Sequence, residues 1–301
     1  MQRLADGGRE LSVLYQNMVK YALMLEFAKE TLALLPFLFV TYLILEAVES
    51  QGGGGLERFV GRARAVGPAA GALAGAIPQC GVAASAASFY AGGIISVGTL
   101  TAVFLSTSDE LLPVLVSKHV PPELMAKIVL LKIAAAIVAG FSIDAFLRLI
   151  RHSRRHVDVE CLCEHSRCGC RERKGILVPA MIHTAEIFAF IVIVSGAIEL
   201  AMHFFGEDCL LSLKLNSPVV GELVAGLLGL VPNCAISVAG AELYCQGAMS
   251  AGALMASSFT GSGLGLLVLF RTNRDIKENL AVLAAIYTLG TLLGFISGRF
   301  I

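Results

Sequence analysis

The segment Gly75-Ala-Ile-Pro-Gln-Cys-Gly81 returns 154 residues later as Gly229-Leu-Val-Pro-Asn-Cys-Ala235. At that fixed offset Cys80 aligns with Cys234, Tyr90 with Tyr244, Gly93 with Gly247, Ser96 with Ser250, Gly98 with Gly252 and Ser108 with Ser262. Residues 75–116 and 229–270 share 14 identities over 42 positions without a gap. An internal repeat governs architecture before any local propensity does. The chain therefore reads as two copies of one unit, each carrying a proline-broken, cysteine-bearing element.

The repeat sits in a chain that is 56% hydrophobic and 15% charged, well below the charge of a soluble domain. Apolar runs at 31–45, 123–147, 176–205, 217–231 and 279–298 approach or reach the length needed to cross a bilayer. Alternating segments of a membrane barrel are absent. The expected fold class is thus an all-α polytopic membrane protein, two inverted five-segment repeats with proline-broken short helices at the centre. Residues 1–27 read as an amphipathic lead-in with no cleavable signal peptide. Residues 28–150 and 177–301 are the two membrane repeats, and 151–176 is a basic Cys/His linker.

The five segments are expected near 28–48, 65–78, 81–95, 97–116 and 123–148, and again near 180–203, 217–231, 234–247, 249–270 and 278–298. Proline at Pro78 and Pro232 removes a helical hydrogen bond and turns its predecessor away from helix. In lipid such a break has to be shielded by protein or line a wet cavity. The second and third segments either span or re-enter; both give each unit an odd number of crossings, so the copies are antiparallel. The linker holds seven basic residues from Arg151 to Lys174, which puts it in the cytoplasm and both termini outside. Inverted repeats broken near mid-membrane are the architecture of secondary transporters. No ATPase motif is present, so the chain reads as a transporter rather than an enzyme, and its zero formal charge gives no reason for a nucleic-acid partner.

Several side-chain groups could carry the chemistry. Cys80 and Cys234 could hold a soft metal or metalloid between the copies, or be small buried packing residues. Their neighbours Gln79 and Asn233, and the backbone freed at Pro78 and Pro232, offer further ligands. Ser106, Thr107, Ser108, Asp109 and Glu110 lie in an apolar run, and acids at membrane depth are usually functional; alternatively the span ends at Leu105 and the acids stand at a wet mouth. The second copy has no acid there. Glu30, Glu46, His183, Glu186 and Glu199 are further coupling candidates, with His183 and Glu186 spaced to share a helix face. Lys132, Asp144, Glu222 and Glu242 are additional charges in or near apolar segments. In the linker His152, His156, Cys161, Cys163, His165, Cys168 and Cys170 form a soft-metal ligand set, and a reducing cytosol argues against disulfides.

Pro78-Gln-Cys-Gly81, Tyr90-Ala-Gly-Gly, the run Gly98 to Glu110, Pro113, Leu35-Pro-Phe-Leu-Phe39 and His183-Thr-Ala-Glu-Ile-Phe188 together resemble a ten-helix heavy-metal exporter family. Its members are labelled manganese transporters or arsenic efflux proteins. The Ser-Thr-Ser-Asp-Glu run is the most specific part, and the proline-cysteine element more distantly resembles the organoarsenical permeases. The resemblance implies export of a metal or metalloid, with Cys80, Asp109 and Glu110 on the family's motif. Manganese would favour the acids and carbonyls, arsenic(III) the two cysteines.

The expected activity is proton- or cation-coupled efflux across the cytoplasmic membrane. An exporter of an amphipathic organic solute, a passive channel and a metal sensor built on the linker are the alternatives. Expected partners are membrane lipids, the metal, metalloid or hydrophobic solute, and protons or another coupling ion; a homo-oligomer stays open. No cofactor is required, although the residues would accommodate a manganese, zinc or softer transition-metal ion.

Overall fold

The computed structural model describes residues 32, 35, 36, 38–45, 47, 66–107, 111–150, 177–205, 215–232 and 234–300. All regular structure among them is helical. In chain order the helices are α1 (38–45), α2 (Val66–Gly75), α3 (Cys80–Ala91), α4 (Val97–Ser106), α5 (Leu111–Ser117) and α6 (Pro122–Ile150). They continue with α7 (Leu177–Phe205), α8 (Val220–Gly229), α9 (Cys234–Cys245), α10 (Ala251–Thr260), α11 (Gly265–Thr272) and α12 (Ile276–Ser297).

Four apolar stretches, Pro122–Leu149, Leu177–Ile198, Ala251–Thr272 and Ile276–Ser297, are long enough to cross a membrane. Burial supports that environment. On α6 the exposed side chains include Leu130, Val138, Phe141, Phe146 and Leu149, while Lys132 and Asp144 are buried. An apolar outside around buried charges suits lipid better than water.

The offset seen in the sequence reappears in the helix bounds. Shifting α2, α3 and α4 by 154 residues gives the bounds of α8, α9 and α10, and the starts of α5 and α6 give those of α11 and α12. The same local chemistry ends and starts these helices in both halves. After α3, Gly93 (φ 74°) lets Ile94 N–H reach Phe89 O at 2.9 Å; after α9, Gly247 (φ 75°) lets Ala248 N–H reach Leu243 O at 2.9 Å. These are glycine-dependent C-terminal turns, which an L side chain at that φ would strain. Ser96 then caps α4 by accepting from Thr99 N–H, and Ser250 caps α10 by accepting from Ala253 N–H, both at 3.1 Å.

Packing pairs the halves with one another. Within each half α4 lies on α6 and α10 on α12; between halves α3 packs on α11, and α5 on α9. One apolar cluster joins Leu38, Tyr90, Phe104, Ile191 and Leu269, and a second joins Leu105, Leu115, Ile128, Met255 and Phe259.

Two expectations are corrected. The fourth segment of each unit is not one helix: 97–116 stops at Ser106 and resumes at Leu111, and 249–270 breaks at Gly261–Leu264. Gly261, with φ −69° and ψ 85°, has left helical geometry, so the apolar stretch Ala251–Thr272 comprises two helices. The proline breaks also do not lie at the buried centre. Pro78 is exposed and Ile77 is 54% exposed, with Val231 at 37% on the other side. The carbonyls freed by the prolines are taken up locally, Ala74 O accepting from Ile77 N–H at 3.2 Å and Leu228 O from Val231 N–H at 3.0 Å, whereas the α4 and α10 ends are buried and find partners on other helices.

Candidate functional site

The buried centre is built where α4 and α10 stop. A helix end leaves carbonyl groups unpaired, and in an apolar interior these need donors. Lys132, entirely buried on α6, supplies them. Its Nζ donates to Thr107 O at 2.5 Å, to Ser258 O at 2.9 Å and to Ser258 Oγ at 2.7 Å. The Phe259 ring centroid lies 5.8 Å from the same nitrogen, close enough for its π-face to attract the ammonium. One cation therefore joins the end of a first-half helix to the last turn of a second-half helix. Both helix dipoles present their negative ends there.

Beside this lysine a cleft of about 10 Å³ is lined by Thr107, Ser237, Ser257, Ser258 and Gly261, with Leu111 and Leu254. That is close to the least volume able to hold one water. Ser106 and Thr107 are buried, and their hydroxyls donate to Val103 O at 3.0 and 2.7 Å. With the proton committed, a hydroxyl's remaining chemistry is acceptance, which suits a cation. Ser262, the counterpart of Ser108, is buried with an Oγ that makes no hydrogen bond among the described residues.

Glycines set the approach of the neighbouring helices. A Cβ on Gly75 would run into Ser106 Oγ and Val103 O, and one on Gly229 into Thr260 Oγ1 and Ser257 O. These contacts are the same pair in the two halves. The N-terminal ends of α4 and α10 are likewise matched, but by different residues. Asp144 of α6 accepts from Ser96 Oγ at 2.6 Å and Gly98 N–H at 2.9 Å. In the second half Gly298 aligns with Asp144, and Glu222 of α8 instead lies against Gly252.

A second polar group joins α1, α3 and α7. Thr41 Oγ1 donates to Ser85 Oγ at 2.6 Å, Tyr42 Oη and Ser88 Oγ are 3.2 Å apart, and Tyr42 stacks on His183 at 5.7 Å. Thr41 and Ser85 also touch a larger cavity of about 590 Å³, whose walls include Val40, Val82, Phe89 and Val103.

The expected sites fare unequally. Ser106 and Thr107 come to the centre. His183 is buried against Tyr42 while Glu186, one turn further on α7, is exposed. The reason is angular: His183 and Thr184 turn into the protein, and Glu186 lies past the edge of that buried face. Gln79 precedes α3 half-buried, its side chain making no cap. Cys80 and Cys234 open α3 and α9, but their side chains, like that of Glu199, lie outside the described residues. So do Glu30, Glu46, Ser108, Asp109, Glu110, Asn233 and the linker residues His152, His156, Cys161, Cys163, His165, Cys168 and Cys170. Among the described residues no three His, Cys, Asp or Glu side chains form a metal-sized group.

Lys132 is the central residue, marked in the sequence only as one further charge in an apolar segment. Its signal was present: Lys132 is the one charged residue between Lys127 and Asp144 in α6. Against known proteins, no family model, no curated protein and no solved structure matches this chain.

Proposed function

We propose that the chain is a secondary active transporter that exports a heavy-metal or metalloid ion across the cytoplasmic membrane, coupled to protons or another cation. The observation that carries this reading is the meeting of two interrupted, repeat-related helices, α4 and α10, around a buried polar centre. Broken helices whose ends converge on a small polar cleft are how membrane transporters bind ions.

In this reading the two halves are inverted repeats that rock about the centre. The linker is cytoplasmic, both termini are outside, and the exposed Pro78 and half-buried Pro232 line water-filled approaches. Asp109 and Glu110, next to Thr107, supply carboxylates for coupling, and Cys80 and Cys234 supply soft ligands. The resemblance to heavy-metal exporters supports the same cargo class through the Ser-Thr-Ser-Asp-Glu run.

The test is transport by purified protein in proteoliposomes, with Mn²⁺, Zn²⁺ and arsenite as probes. An imposed proton gradient is expected to drive at least one of them uphill, and Asp109→Asn to uncouple it. Flux that only follows the ion's own gradient would replace the transporter with a channel. A second reading, export of an amphipathic organic solute, is favoured by the 590 Å³ cavity with its apolar walls and its Thr41–Ser85 polar edge. Competition between a hydrophobic organic anion and the metal probes in the same vesicles separates the two.

A further inference from the structure

We propose that the Lys132 ammonium is a tethered cation, filling a site that would otherwise bind a free monovalent cation of about potassium size. The proposal deepens the transport reading, and rests on it only for the use to which the site is put. Among the described residues three oxygens accept from Nζ: the carbonyls of Thr107 and Ser258 and the hydroxyl of Ser258. Two of the three are main-chain carbonyls at or near helix C-termini, the groups that coordinate alkali cations where membrane helices are broken. Each belongs to a different half, so a cation there holds the halves together.

Here the ammonium satisfies the carbonyl that the α4 break exposes, at a point where no backbone N–H is available from the helix itself. The repeat equivalent of Lys132 is Ile286, also fully buried, so a single ammonium serves both helix ends.

Removing the side chain should therefore create a cation site rather than merely a cavity. In Lys132→Ala these oxygens remain, with room for K⁺ or a small alkylammonium ion. Thermal unfolding of the full chain in detergent is measured in choline chloride, then in NaCl, KCl and methylammonium chloride at equal ionic strength. A saturable rise of a few degrees with K⁺ or methylammonium is expected for Lys132→Ala, because a ligand bound only to the folded state raises its stability. Wild type and Lys132→Arg should show none. Equal responses of wild type and Lys132→Ala would overturn the proposal.

Wild-type protein gives a second check that does not depend on the variant's folding. Reductive methylation of amines, mapped by mass spectrometry, should leave Lys132 unmodified until the protein unfolds; modification at the rate of exposed Lys118 defeats the proposal. Neither measurement uses a gradient or a transported substrate. Failure here leaves the transport reading standing, and absence of transport leaves the cation site standing.

Discussion

At the residue scale, the buried carboxylates show how chemistry is conserved in place while its source changes. Asp144 reaches across from α6 to hold Ser96 and the Gly98 N–H at the start of α4, where a negative charge meets the positive end of a helix. Asp144→Ala is expected to cost about 1–2 kcal/mol, in the range of a lost N-terminal cap, with Asp144→Asn recovering part; thermal melts in detergent measure both. The second half has glycine at the aligned position and brings Glu222 from α8 to the corresponding helix start. Sequence reading marked both acids as unusual charges in apolar surroundings but gave neither a partner. Their partners lie on other helices, 46 residues away for Asp144 and Gly98, and no local pattern encodes that distance. Lys132 was opaque for the same reason.

At the scale of elements, proline was easy to read and misleading about depth. Pro78 and Pro232 mark real interruptions, because the ring forbids the helical hydrogen bond wherever it stands. Nothing about proline says whether the interruption faces solvent or core, and Pro78 is exposed. The buried break after Thr107 has its proline further on, Pro113 in the first turn of α5, where a helix start tolerates it; Lys132 then meets the exposed carbonyl. Gly261-Ser-Gly263 made the second-half break more legible than the first. Close approach of α2 to α4, and of α8 to α10, depends on Gly75 and Gly229. Alanine at either is expected to destabilise by about 1–3 kcal/mol through overpacking, read as a lowered unfolding midpoint. The ends of α5 and α9 are tied more lightly, by Lys118 and Glu242 at 2.9 Å on the surface. The hydrogen bond and charge of Glu242 hold the Lys118 ammonium above its ordinary 10.5. A raised pKa in the folded state stabilises fully below the ordinary value and is lost as pH climbs through the raised one. The melting difference between wild type and Lys118→Met should therefore be level from neutral pH and shrink only in strong alkali, and added salt should erase it.

At the scale of the whole molecule, the repeat and the membrane character were readable because both are patterns summed over many residues. The pairing of halves was not, since identical offsets are compatible with two side-by-side bundles or with an exchanged arrangement. The structure has the exchanged one: α3 lies on α11 and α5 on α9. Cutting the chain within 151–176 and expressing both pieces together should restore a folded complex, whereas either piece alone should be degraded; co-purification of the pieces measures it. Contact at the α3–α11 crossing is close, since a Cβ on Gly265 would sit 2.6 Å from Phe104 and 2.9 Å from Ala83. Because a chain leaves the ribosome N-terminus first, α3 is complete 174 residues before Gly265 of α11 is made, counting from Ala91. Through that interval a surface fitted to another part of the same protein faces lipid or the insertion machinery. Biogenesis of this protein thus includes a waiting period, and its first half is the natural client of whatever guards nascent membrane helices.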